Sequence, residues 1–361
     1  MSGDVAARRL CAQRLAGHPL SGAVDVVRWM GAVQAQDYGA AKWALAQRTR
    51  DVTEAQVDRL FDEGSILRTH VMRPTWHFVL PDDIRWMLVL TRARNARGDA
   101  ARYRELGLDA EVVARAGGAF RAALAGGHHL TRPELGVALE AAGISAEGQR
   151  LPHLLGCAEL DGVIVSGPPR GKQFTYALLD ERAPAGRELD RPAALAELAA
   201  RYFRGHGPAR LRDFAWWSGL AVTDARAGIA LAGTLERETV DGDDHWFEAG
   251  SGPVPRRGRS PVAQLLPNFD EYTVAYRDRA ALTHPDHPVL PELLSFGSVL
   301  ANIVVVDGRV RGGWSWTRVL GGVRVDIRPF GRLEPSEAAA VEEAGRRLGG
   351  FLGSPVEMAG L

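Results

Sequence analysis

The chain has 361 residues, enough for two to four units around a continuous core, and its 44 lysines and arginines balance 44 aspartates and glutamates to a net charge of zero. That balance excludes a protein that grips nucleic acid over its whole surface, so any such contact has to come from local clusters of positive charge. No apolar run approaches the roughly eighteen residues that cross a bilayer, and Cys11 and Cys157 have no Cys-x-x-Cys partner, so a membrane span, a disulfide framework and a cysteine-held metal are not indicated and a reducing cytosol is expected.

In chain order, the first hundred residues read as helices over 5–16, 22–32, 39–49 and 53–62, followed by strands over 66–72 and 75–80. Arg92, Arg94, Arg97 and Arg102 then stand against Asp99 alone, a cluster that either meets phosphates or is a solvated helix face. From 111 an Ala-rich amphipathic helix ends near Gly126-Gly127. Thr131 with Glu134 three residues on is a capping-box pattern, with Pro133 tolerated in the first turn. A further helix over 145–160 leads to strands at 163–165 and 173–178, whose connecting turn carries Lys172. The same order recurs from 192 to 249: helices to about 204, over 210–219 and from Thr223, then strands over 234–240 and 245–248 around Asp241-Gly242-Asp243-Asp244.

Helices followed by a β-hairpin make a winged helix, which sets a helix in a DNA groove, although the same unit also serves as a protein-interaction module. Beyond 253, Arg256, Arg257 and Arg259 crowd a Gly/Pro-rich stretch. Strands over 262–266, 272–276, 302–306, 313–318 and 323–328 then predict an antiparallel sheet or partly closed barrel, before a terminal helix over 336–348. The expected class is α+β, mainly α: tandem winged-helix units over 1–110, 111–185 and 186–252, then a β-rich, barrel-like domain over 253–361.

The stretch Met30 to Gly39 carries the most chemical information. Gln34 and Gln36 diverge if they lie on a helix but project to one side on extended backbone, so a joint role requires the preceding helix to end near Val33. The plainer reading is that they satisfy backbone groups at a helix end. Asp37 reads as a helix cap or a helper of the pair. His77, between Trp76 and Phe78, reads as a satisfied structural residue or an accessory group. Asp270 and Glu271 are adjacent acids, which point to opposite faces of a strand rather than sharing a site. His284 and His287 lack a third ligand, and no nucleotide-phosphate loop is present.

Gln34-Ala35-Gln36-Asp37 resembles the glutamine-aliphatic-glutamine signature of the AlkZ and YcaQ group of DNA glycosylases. Gln36 in place of aspartate matches the AlkZ branch. The same family look extends to Leu67-Arg68-Thr69, Arg73-Pro74-Thr75-Trp76-His77, Gly207-Pro208-Ala209, Asp213 to Leu220 and Leu266 to Tyr272. The resemblance implies tandem winged helices and a β-rich domain, and a monofunctional glycosylase that excises cationic N7-alkylpurines, bulky adducts or crosslinks included. Gln34 and Gln36 would be catalytic, with Asp37 and His77 as accessory candidates and no metal or cofactor. Arg73, Arg92, Arg94, Arg97, Lys172, Arg256 and Arg257 are the candidates for holding double-stranded DNA that carries the alkylated purine. The protein is expected to be monomeric, cytoplasmic and associated with the nucleoid. The competing reading is a winged-helix transcription regulator without catalysis.

Overall fold

The computed structural model describes residues 5–184, 186–251, 260–283 and 302–361, without the side chains of 95–99. The first region holds helices Val5–Ala12, Ala23–Met30, Tyr38–Ala46 and Glu54–Asp62, then a hairpin of Leu67–His70 and Trp76–Val79. Thr53 and Gln56 form a capping box at the fourth helix. The 25-residue helix Pro81–Glu105 follows, opened by Pro81 with Asp82 and Asp83 in its first turn. The sequence pattern does not announce this helix, because its apolar residues crowd the first half and its charges the second, leaving no stripe at helical period.

The middle region contains helices Ala110–Leu124, Arg132–Ala141 and Arg150–Leu160 and the hairpin of Ile164–Arg170 with Gln173–Leu178. The Glu134 carboxylate accepts from the Thr131 N–H at 2.7 Å and its hydroxyl at 2.8 Å, so the predicted helix start forms where expected. The next helix begins at Arg150 rather than 145, because Glu140 takes the Ala146 N–H at 2.6 Å and holds those residues in a turn. The third region repeats the plan with Arg191–His206, Leu211–Ser218 and Val222–Leu231 before the hairpin Leu235–Val240 and Asp243–Glu248. Asp241 and Gly242 both have positive φ (52° and 84°), the requirement of a two-residue turn whose twist matches its strands.

The last region is a five-stranded sheet in the order Val356–Ala359, Gly322–Pro329, Arg309–Val319, Ile303–Val306 and Ala263–Leu266, antiparallel except for the first pair. Among the described residues it stays open, so the barrel-like expectation is corrected to an open sheet with helix Pro335–Leu352 packed on it. The strand expected at 272–276 is instead a helical turn, Glu271–Val274. The cause is Asp270, whose carboxylate accepts the Tyr272 N–H at 2.8 Å and caps the turn.

One apolar core runs from Val26, Phe61 and Phe78 of the first region into Leu265, Val304, Trp314, Val325 and Phe351 of the last. A second joins Val71, Met72 and Trp86 to Tyr202, Phe214 and Trp217 of the third region, while the middle region has a core of its own around Phe120, Leu135 and Leu155. The loop between Leu67–His70 and Trp76–Val79 is thereby pinned against the third region. Met72 there has φ 65°, and Gly219, at φ 69°, brings its backbone so close that a Cβ would lie 2.5 Å from the Met72 carbonyl oxygen. Gly219→Ala should therefore cost about 1–2 kcal/mol for the left-handed backbone alone, and more for the clash. Chemical denaturation would show this as a lowered midpoint at unchanged slope.

Candidate active site

Helix Ala23–Met30 stops at Gly31, whose φ of 85° turns the chain while its N–H returns to the Val27 carbonyl at 2.9 Å. Val33–Gln34 then runs antiparallel to Trp76–Val79 with Gln34 opposite His77, and the Ala35 N–H donates to the Trp76 carbonyl at 2.7 Å. The next helix starts at Tyr38, capped by Asp37, which accepts from the Ala40 N–H at 3.0 Å. Gln34 thus ends a two-residue strand and Gln36 stands in the bend that follows, both between two helix ends and neither on a helix.

Gln34 is buried, and its Oε1 accepts from the Arg73 guanidinium at 2.8 Å. Gln36 is exposed, and its Oε1 accepts from the Trp76 backbone N–H at 3.3 Å. A guanidinium and a peptide N–H can only donate, so the partners themselves dictate which end of each amide faces them. Each carbonyl oxygen keeps one lone pair, and each amide keeps its NH2 group.

Because Ala35 bonds to the hairpin, its neighbour Gln34 aims its own N–H off the sheet edge. The Oε1 of Glu271 accepts that N–H at 2.7 Å. Its other oxygen accepts from the Trp217 indole at 2.9 Å and lies 3.3 Å from His206 Nε2. Burial alone would raise the pKa of this inaccessible carboxyl. The bond and charge of His206, the Gln34 N–H and the Arg73 cation outweigh it and hold the group below its ordinary value, so it is ionised. Asp270 faces the other way, paired to Arg48 through two bonds of 2.8 and 2.9 Å. The adjacent acids do diverge, but at the start of a helical turn and not on the strand expected there. The contact of Glu271 with Gln34 spans 237 residues, and no local pattern announces it.

His77 is fully buried. Its Nδ1 lies 2.8 Å from the Thr75 carbonyl, which places the proton there and leaves Nε2 without a hydrogen-bond partner. Burial, then the neighbouring Arg73 charge, pushes its pKa down to about 3, so at neutral pH the ring has no proton to lend as an acid. Arg68 donates to the Ala35 carbonyl at 3.0 Å and lies between Trp76 and Phe174, 4.2 and 4.7 Å from the ring centroids. Burial brings its pKa to about 10, still a cation. Phe174 also meets Tyr38 at 5.2 Å, so the middle hairpin touches the glutamine segment, with exposed Lys172 two residues away at its tip.

The other predicted contacts are scattered. Arg92 pairs with Asp161 at 2.6 Å and Arg94 is exposed, while the Arg97 side chain, Arg256, Arg257, His284 and His287 lie outside the described residues. Lys42 is drawn away from the glutamines, its Nζ 2.8 Å from Asp58 and 2.9 Å from Glu54. Among the described residues no cluster of three or more His, Cys, Asp or Glu could hold a metal, and no helix is long and apolar enough to cross a membrane.

The architecture is one found among DNA glycosylases. The solved structure of the Streptomyces sahachiroi DNA glycosylase AlkZ superposes with a TM-score of 0.79, covering 99% of this chain and 98% of that one at 23% identity. The family model of the AlkZ-like DNA glycosylases matches residues 27–351, and the chain belongs to that family. It is a DNA glycosylase. A relative from Streptomyces sahachiroi, named as an interstrand DNA cross-link repair glycosylase, is 26% identical over 94% of this chain and 93% of its own length. The reading as a regulator without catalysis gives way to this assignment.

The depressed pKa of His77 has a stability consequence. The unfolded chain takes up a proton near pH 6.5 that the folded chain refuses until about pH 3, so this contribution is complete above pH 6.5 and shrinks as pH falls through that window. By pH 4.5 the loss amounts to roughly 2–3 kcal/mol. His77→Gln should remove that share, making the melting temperature less sensitive to pH between 6.5 and 4.5 in thermal scans.

Proposed function

We propose that this chain is a monofunctional glycosylase for cationic N7-alkylpurines in double-stranded DNA, bulky adducts and crosslinks included, with Gln34 and Gln36 as its catalytic residues. The observation that carries this reading is the set of groups around the pair among the described residues, which offers it no acid: two neutral amides, a histidine that is uncharged at neutral pH, and a buried carboxylate whose acceptors are occupied. Such a site suits a leaving group that its own alkylation has activated. A purine alkylated at N7 carries positive charge and departs with the glycosidic electron pair as a neutral base. Water adds to C1′ of the resulting oxocarbenium sugar, and its proton passes to solvent, leaving an abasic site. The free carbonyl lone pairs of Gln34 and Gln36 orient that water and face the developing cation, an electrostatic contribution of about 2.7–4 kcal/mol by analogy with oxyanion-hole donors.

The three runs of helices ending in hairpins, read as winged helices over 1–110, 111–185 and 186–252, would lay the glutamine edge along the duplex. Lys172, Arg92, Arg94 and Arg97 would supply phosphate contacts, as would Arg256 and Arg257. On this reading the enzyme works as a monomer without cofactor, in the cytoplasm where the nucleoid lies. The name of the Streptomyces relative supports an interstrand crosslink as the lesion.

Gln34→Ala and Gln36→Ala should each slow single-turnover release of 7-methylguanine from a duplex at least tenfold with affinity within a few-fold. Wild-type rates in both would remove the proposed mechanism. Strand scission through a Schiff base needs a free amine; Lys42 is tied to two carboxylates, and Lys172, the other lysine, is read as a phosphate contact at a wing tip. Borohydride should therefore trap no protein–DNA adduct, and strand breaks should appear only after alkali. An adduct lost in Lys42→Ala would make that lysine a nucleophile.

A further inference from the structure

Gln34 is held at both ends by ions of opposite sign. Its side-chain oxygen accepts a hydrogen bond from Arg73 at 2.8 Å, and its backbone N–H donates one to Glu271 at 2.7 Å. Arg73 stands on the turn that Gly219 presses from behind. Its Nε is shut off from solvent without a partner, and its guanidinium carbon lies 5.8 Å from the Trp216 ring centroid. With Nη2 committed to Gln34 and Nε closed off, at most one edge of this half-buried guanidinium is open to a phosphate. Glu271 is equally committed, with Trp217 and His206 on its second oxygen. A glutamine has several rotatable bonds and an amide that can turn over, so a catalytic glutamine keeps its geometry only if neighbours impose it.

We propose that Arg73 and Glu271 are positioning residues that form a clamp on Gln34, Arg73 fixing which end of the amide faces the duplex and Glu271 fixing the strand that carries it. This rests on the reading of Gln34 as catalytic. Arg73 then acts on the reaction only through Gln34, whereas a DNA-binding arginine acts whether or not Gln34 is present.

A double-mutant cycle separates the two. Single-turnover excision of 7-methylguanine and duplex affinity, with its salt dependence, would be measured for wild type, Arg73→Met, Gln34→Ala and the double variant. The clamp predicts that Arg73→Met slows excision at least tenfold with affinity within threefold and an unchanged salt slope. In the Gln34→Ala background the same change should alter the rate less than twofold. Weakened affinity with a flatter salt slope, or a loss that multiplies that of Gln34→Ala, would overturn the clamp while leaving the glutamine mechanism standing. A Gln34→Ala protein as fast as wild type would overturn both. If Arg73→Met melts below the assay temperature, Arg73→Lys carries the same cycle: it keeps the charge, loses the planar fork and should still lose at least threefold in rate at unchanged affinity. Glu271→Gln exchanges an acceptor oxygen for a donor, and it should lower both melting temperature and rate. An undiminished rate there would remove the backbone half of the clamp.

Discussion

The bond from the Gln34 N–H to the buried Glu271 carboxylate organises the site, because it closes a sheet edge that would otherwise stand open. Val33–Gln34 is only two residues long and pairs with the hairpin on one side alone. An edge strand that short has little to hold it, and its outward N–H needs an acceptor wherever water is kept out. Glu271 supplies one from a segment more than two hundred residues away. Keeping that carboxylate ionised in an apolar setting in turn requires Trp217 and His206 from the third region. The first, third and last regions are thus tied together at one side chain.

Arginine accounts for nearly all of the positive charge, and much of it is spent inside the protein rather than on its surface. Arg48 holds Asp270, Arg68 braces the carbonyl of Ala35 between two aromatic rings, and Arg201 meets Asp83 and Glu197. A planar guanidinium can make several directed bonds and stack on a ring while staying charged, so it can bridge regions where lysine could not. On the proposed reading, exposed cations such as Arg94 and Lys172 would be the ones left to meet DNA.

The two glutamines are not equivalent. Gln34 is buried and bonded at 2.8 Å, whereas Gln36 is exposed and bonded at 3.3 Å. One is packed into the scaffold and the other stands at its surface.

Local physics decided what the sequence alone determined. The helix stops and starts around the glutamines follow from Gly31 and Asp37, the middle unit from the Thr131–Glu134 box, and the third hairpin from Asp241-Gly242, each within a few residues. The ordered motifs from Gln34 to Tyr272 also carried the family. Tertiary structure decided the rest. It left the last sheet open, and drew Arg73 onto Gln34 and Lys42 away to Asp58 and Glu54. It also seated Glu271 under the glutamine strand. These outcomes depend on which groups meet across long separations, where burial and the demand for a partner settle a side chain's role, and the one-dimensional pattern does not contain that information.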